Sequence, residues 1–225
     1  MLPEQPHQAG SFVKIGVFDS GIGGLSVARA IERALPDAEV RFAHDTPEHF
    51  PYATKTPDEI IGFVLPILQR LVDEDCDVIV IACNTVSTTL ITRLRGAFNV
   101  PLVAVEPMVK PAAALTKTGV IAVCATPTTL ASERYAWLKI TYGMTCTFLE
   151  PDCADWSYLI EQNQMNEARI LRELEPALAA DADVIVLGCT HYHWIEEEIK
   201  KIVAGRAVVL QPEPAIIARL HNLLA

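Results

Sequence analysis

Short apolar runs rich in valine and isoleucine alternate along this chain with longer amphipathic stretches. The runs lie around Ile15–Ser20, Glu39–Ala43, Asp77–Ala82, Leu102–Val105, Ile121–Thr126, Thr145–Leu149, Asp183–Gly188 and Val208–Leu210. Their β-branched composition is that of strands buried on both faces of a parallel sheet. Between them, Ile22–Leu35, Asp58–Glu74, Asn166–Ala180 and Tyr192–Ala204 carry apolar positions at helical spacing. Strands alternating with helices predict an α/β fold with parallel sheets covered on both sides.

The runs also repeat. Asp77-Val78-Ile79-Val80-Ile81-Ala82-Cys83-Asn84-Thr85 returns as Asp183-Val184-Ile185-Val186-Leu187-Gly188-Cys189-Thr190-His191, an offset of 106 positions. At the same offset Ile15–Ser20 falls on Ile121–Thr126, Phe42 on Phe148, and Leu102 on Val208. Self-similarity at a fixed period marks a duplicated structural unit. The prediction is two similar parallel-sheet α/β halves, residues 12–106 and 107–212, with Glu213–Leu224 as a closing helix.

Composition narrows the class. A chain of 225 residues, 51% hydrophobic and 20% charged, is large enough for two small folded cores. No apolar run approaches the length of a membrane span, and the polar, proline-containing leader Met1–Ser11 has no signal-peptide core. The formal charge of −10 argues against a nucleic-acid partner, which calls for clustered lysine and arginine. The six cysteines show neither a CxxC pair nor zinc-type spacing, which predicts reduced thiols in the cytoplasm and no metal. Cys76, Cys124 and Cys146 read as small hydrophobes of the core; Cys153, in a polar loop, has no assigned role.

Cys83 and Cys189 differ from these because each ends a strand where a helix is expected to begin. Ligands of parallel sheets bind outside those strand ends, and a helix N-terminus there offers N–H groups and lowers a thiol pKa. A single cysteine in that position is as readily core as catalytic; two at matched positions favour function. If the halves face each other, the thiols flank one small ligand, as needed to add and remove a proton on opposite faces of a carbon. Asp19 and Ser20 close the first strand in a glycine-rich turn, Gly21-Ile22-Gly23-Gly24, whose spacing fits a dinucleotide site poorly. Asp19 there can orient a neighbour, accept a proton, or cap the following helix. His191 lies two residues past Cys189 and can stabilise its thiolate. His193, Trp194 and Glu196-Glu197-Glu198 read as the polar side of the next helix. The loop carrying Asp45-Thr46 and Phe50-Pro51-Tyr52-Ala53-Thr54 can wall a pocket or merely connect two elements.

Three of these stretches, Ile15–Gly21, Ala82-Cys83-Asn84-Thr85 and Gly188-Cys189-Thr190-His191-Tyr192, together resemble the signatures of the glutamate racemase family, within the cofactor-independent aspartate/glutamate racemase superfamily. Asp45-Thr46 with Pro51-Tyr52, Glu106-Pro107 with Lys110, and Ala125-Thr126 with Thr129 and Ser132 agree with it. The resemblance implies two α/β domains related by pseudo-twofold symmetry, with glutamate held in an active site between them and residues 213–225 packing back on the first domain. Cys83 and Cys189 would be the acid/base pair, assisted by Asp19 and His191. Ser20, Tyr52, Ala53, Asn84, Thr85 and Thr190 would hold substrate with Asp19 and His191. No pyridoxal phosphate and no metal are implied, and a homodimer is left open. The implied reaction is interconversion of L- and D-glutamate, supplying D-glutamate for peptidoglycan. Two rivals stand beside it: a racemase for aspartate or another acidic amino acid, and a gyrase-binding protein with weak activity. The chain departs from the family pattern at Ala53 (usually Gly), His193 (usually Pro) and Leu210-Gln211-Pro212 (usually Val-Asp-Ser).

Overall fold

The computed structural model of the chain describes residues 12–224; the leader Met1–Ser11, Ala225 and the side chain of Ala53 lie outside the described set. Two four-stranded sheets follow one another. The first contains β1 (Lys14–Asp19), β2 (Glu39–His44), β3 (Val78–Ile81) and β4 (Leu102–Ala104) in the order β2-β1-β3-β4. The second contains β5 (Val120–Ala125), β6 (Thr147–Leu149), β7 (Val184–Gly188) and β8 (Val208–Leu210) in the order β6-β5-β7-β8. All six strand pairings are parallel. Lys14 and Val120, Val78 and Val184, and Leu102 and Val208 open equivalent strands, so the sequence offset is a structural one.

The helices of the first half are α1 (Leu25–Ala34), α2 (Pro57–Asp73) and α3 (Asn84–Ala97). The second half carries α4 (Val109–Leu115), α5 (Pro127–Leu130), α6 (Glu133–Tyr142), α7 (Trp156–Glu161), α8 (Glu167–Ala179) and α9 (Glu196–Val203), and α10 (Glu213–Leu224) follows it. The best specified of them is α2. Thr56 and Glu59 form a reciprocal cap, with the Glu59 N–H donating to Thr56 Oγ1 at 3.3 Å and the Thr56 N–H to Glu59 Oε2 at 2.8 Å. Pro57 occupies the first turn, where a missing N–H costs nothing. Ile60, Val64, Leu68 and Leu71 then fall on one buried stripe against β1 and β3. Each such side chain contributes about 1.5–3 kcal/mol by leaving water, and Leu68→Ala would cost about 2–5 kcal/mol.

The central strands are wholly inside: every residue of β3 and β7 is buried, whereas the edge strands are only partly so. Each sheet therefore has an apolar cluster on both faces. Ile216 and Leu220 of α10 join Ile15, Val17 and Val27 in one of these, so the last helix closes on the first sheet. The backbone thus passes between the halves twice, between β4 and α4 and between β8 and α10. Both crossings border one groove of about 280 Å³ that includes Glu106, Pro107, Met108 and Pro212.

Among the described residues no helix is long and apolar enough to cross a membrane. Cys76 and Cys124 are buried and Cys146 partly so. Cys153, unassigned in sequence, is core: it packs with Trp156 and Tyr192, and the Tyr192 hydroxyl donates to its carbonyl at 2.7 Å.

Candidate active site

The carboxyl ends of β1 and β3 face those of β5 and β7 across a seam. One cavity lies there, lined by Ser20, Tyr52, Cys83, Asn84 and Thr85 from the first half and by Thr126, Ser157, Cys189, Thr190 and His191 from the second. Its free volume is about 20 Å³, room for a water molecule and no more. An occupant the size of an amino acid does not fit the cavity as it stands.

Cys83 is the N-cap of α3. Its thiol donates to Ser20 Oγ at 3.3 Å. Burial pushes the thiol up to about 12 and the Asp19 carboxyl adds to this, while Ser20 and the Val86 N–H oppose it. At neutral pH Cys83 is a thiol. Asp19 behind it is fully buried. One carboxylate oxygen accepts from the Gly24 N–H at 2.8 Å and from Thr190 Oγ1 at 3.1 Å, and the other has no partner. Burial raises this carboxyl above the usual range against the pull of His191 and these hydrogen bonds. Asp19 therefore caps the turn, as one reading of the sequence has it, and also holds Thr190 of the other half, which the sequence does not indicate.

Asn84 has neither amide atom partnered although both are buried. Orphaned buried polar atoms are costly, and in a cavity wall they are free to serve a polar ligand. Thr85 Oγ1 meets Thr126 Oγ1 across the seam at 3.1 Å. The Tyr52 hydroxyl donates to Asp45 at 2.5 Å, and burial and that carboxylate hold the phenol well above its ordinary range. Tyr52 thus remains protonated.

On the second side Cys189 Sγ lies 3.8 Å from His191 Nδ1, and His191 Nε2 lies 2.7 Å from Glu161 Oε1. Burial disfavours the imidazolium, but the hydrogen bonds to Cys189 and Glu161 and the charge of Asp19 outweigh it and raise His191 to about 10. An imidazolium beside Sγ stabilises negative charge there. The two thiols therefore rest in opposite electrostatic settings, Cys83 near a carboxylate and Cys189 near a cation.

The glycine-rich turn serves this seam. A methyl group at Gly23 would lie 2.6 Å from His191 Nδ1 and 2.7 Å from Thr190 Oγ1. Only a residue without a side chain lets the Thr190 and His191 side chains approach the turn this closely. Trp194 Nε1 donates to the Gly23 carbonyl at 3.2 Å. The expectation of a helix from Tyr192 to Ala204 is corrected here: Thr190–Ile195 is a 3-10 helix and α9 begins only at Glu196. With three residues per turn, Thr190 and His193 eclipse and share the face turned to the first half. His193, expected on a solvated side, is consequently buried.

Of the predicted site residues, Ser20, Tyr52, Cys83, Asn84, Thr85, Cys189, Thr190 and His191 line the cavity, and Asp19 lies directly behind it. Sequence reasoning missed Glu161, which orients His191, and left Asp45 as a loop residue although it anchors Tyr52. A buried imidazole next to a thiol calls for an acceptor on its far nitrogen, but no sequence feature marks which carboxylate. Among the described residues no three His, Cys, Asp or Glu groups are disposed to hold a metal ion.

Residues 15–219 match the family model described as Asp/Glu/Hydantoin racemase. The chain is 39% identical over 215 residues to a glutamate racemase of Ralstonia pickettii, covering 94% of this chain and 76% of the relative. It is 34% identical to a glutamate racemase of Pseudomonas syringae, covering 98% of this chain and 82% of the relative. Escherichia coli glutamate racemase, solved with L-glutamate and the activator UDP-MurNAc-ala, superposes with a TM-score of 0.88 at 32% identity, over 95% of this chain and 83% of that one. Aspartate racemase of Picrophilus torridus shares the fold, with a TM-score of 0.63 at 17% identity.

Proposed function

The chain belongs to the Asp/Glu/hydantoin racemase family, and from that premise we propose that it interconverts L- and D-glutamate by a two-base route through Cys83 and Cys189. The observation that carries the reading is one cavity walled by two thiols from equivalent strand ends of facing halves. One thiolate takes the α-proton from one face of the substrate, and the opposite thiol returns a proton to the other face. Carbon–hydrogen cleavage leaves a carbanion-like centre. Donors fixed around the α-carboxylate, namely Ser20, Asn84, Thr85 and Thr190, stabilise the charge as it develops. The unpartnered Asn84 amide supports this assignment.

The resting protonation is uneven. Cys83, held as a thiol, is the group ready to give a proton, and in that direction of the proposed reaction Cys189 has the role of base. The reverse direction needs the proton inventory exchanged, with Ser20 and the Val86 N–H receiving the Cys83 thiolate. No group in this scheme calls for pyridoxal phosphate or metal. The same resemblance supports a cytoplasmic enzyme whose D-glutamate enters peptidoglycan.

The test is circular dichroism of L- and D-glutamate with purified protein dialysed against chelator and freed of pyridoxal phosphate. Each enantiomer should decay to the racemate. Absence of decay, activity restored only by added metal or cofactor, or faster turnover of aspartate would overturn the proposal.

A further inference from the structure

His193 is the one histidine of the 3-10 segment that the reaction scheme does not use, and its side chain is almost wholly inside, at 2% exposure. Its Nδ1 lies 3.1 Å from Ser26 Oγ on α1 and 3.3 Å from Glu213 Oε1 at the start of α10. Both partners belong to the first half, whereas His193 sits on the segment that carries Thr190 and His191. Its Nε2 is buried without a partner. A ring with one satisfied and one orphaned nitrogen is held by the first alone, and its burial is costly unless that contact is needed. Three residues upstream, Thr190 is bonded to Asp19 from the same face of the segment. One residue downstream, Trp194 is bonded to Gly23.

We propose that His193 is a positioning residue: its Nδ1 tie to Ser26 and Glu213 holds the Thr190–Ile195 segment against the first half and so fixes His191 relative to Cys189. The geometry around the segment leaves little slack. His191 is packed against Gly23 with no room for a methyl group between them. The seam cavity is close to water-sized, so a small separation of the halves changes its contents. Loss of the tie frees the segment to move away from the turn. A misplacement near 1 Å at reacting groups costs on the order of 10²-fold in rate, and the two remaining ties limit the movement here to a fraction of that.

The contact atom is the δ nitrogen, which sets the experiment. Asparagine places its amide where Nδ1 lies, and glutamine places its amide where Nε2 lies. His193→Ala and His193→Gln should lower kcat about tenfold, with KM changed less because Ser20, Asn84 and Thr85 lie on the half that does not move. His193→Asn should restore kcat to within a small factor of wild type. The kinetic arm rests on the racemase reading; a second arm does not. Cys189 alkylation by iodoacetamide, followed by peptide mass spectrometry, should quicken in the alanine and glutamine variants and stay slow in the asparagine variant. If the alanine variant fails to fold, the asparagine and glutamine pair alone decides. Glutamine equal to or better than asparagine in both arms would overturn the proposal, as would wild-type kcat and alkylation in a folded alanine variant. Inactive wild-type protein with the expected alkylation pattern would sink the racemase reading and leave the tie standing.

Discussion

Gly23→Ala probes the seam most directly. The added Cβ would stand 2.6 Å from His191 Nδ1, where ordinary contact begins at 3.4 Å, so one side must retreat by about 0.8 Å. His191 cannot simply swing aside, because its far nitrogen is held by Glu161 at 2.7 Å. Thr190, 2.7 Å from the same methyl, is held by Asp19 at 3.1 Å. The whole segment therefore moves, taking the imidazole away from the pocket. Overpacking of this kind costs about 1–3 kcal/mol. Gly23 does not need a positive φ, so alanine returns about 0.4–1 kcal/mol by restricting the unfolded chain. The net is a loss on the order of 1 kcal/mol, a Tm fall of about 2–4 °C for a chain of this size. Activity should suffer more, with kcat down about 30- to 100-fold for a shift approaching 1 Å. Polarimetry from each enantiomer and a thermal melt give both numbers. Gly62→Ala, whose methyl meets nothing within 4 Å on α2, is the control and should leave kcat unchanged. A Gly23→Ala variant with kcat near wild type in both directions would refute the account of the glycine turn.

Other outcomes follow from the same geometry. Cys83→Ala and Cys189→Ala should each fold yet lose racemisation almost completely, because one positioned proton-transfer group contributes about 10²–10⁴-fold; isotope exchange into one enantiomer, read by NMR, tests whether the remaining base still works. Asp19→Asn and His191→Asn should depress the two reaction directions unequally and in opposite senses, seen in kcat and KM from each enantiomer, since the equilibrium itself must stay at unity. Glu161→Gln should lower the pH at which His191 titrates, visible by NMR of the ring protons. For stability the sign is fixed by the direction of the shift: His191 is raised from 6.5 to about 10 in the folded state. Its contribution is therefore full below about pH 6.5 and lost as pH rises through about 10. Urea unfolding of wild type and His191→Asn across that window should converge at the alkaline end.

How much of this could be read from the chain differs by element. The strands were legible because both sheets bury their central members completely, which forces runs such as Val78–Ile81 and Val184–Gly188 to be apolar throughout. The thiols were legible because the same runs deliver them. The segment after Cys189 was not. Its apolar spacing suits an α-helix from Tyr192, and the 3-10 geometry that turns His193 inward is set by contacts with Gly23 and Ser26 from the other half. Glu161 was hidden for a different reason: at the end of α7 it looks like any carboxylate on a helix surface, and only the fold of the second half brings His191, 30 positions away, to it. Glycine at position 23 was visible, but its purpose lay 168 positions away at His191.

The two backbone crossings, side by side at one groove, have a mechanical consequence. A body joined to another by a single tether can tumble; a body joined at two fixed points has one easy rotation, about the line through them. The second half hangs on the first like a door on two pins, Glu106-Pro107 at one and Gln211-Pro212 at the other. Proline at both pins stiffens the backbone where it passes. Under the proposed racemisation, a substrate would enter by rotation about that line, and reversing the rotation would bring the two sulphurs back to their starting separation. The proposed proton transfer would then depend on the route of the chain as well as on the side chains of the pocket.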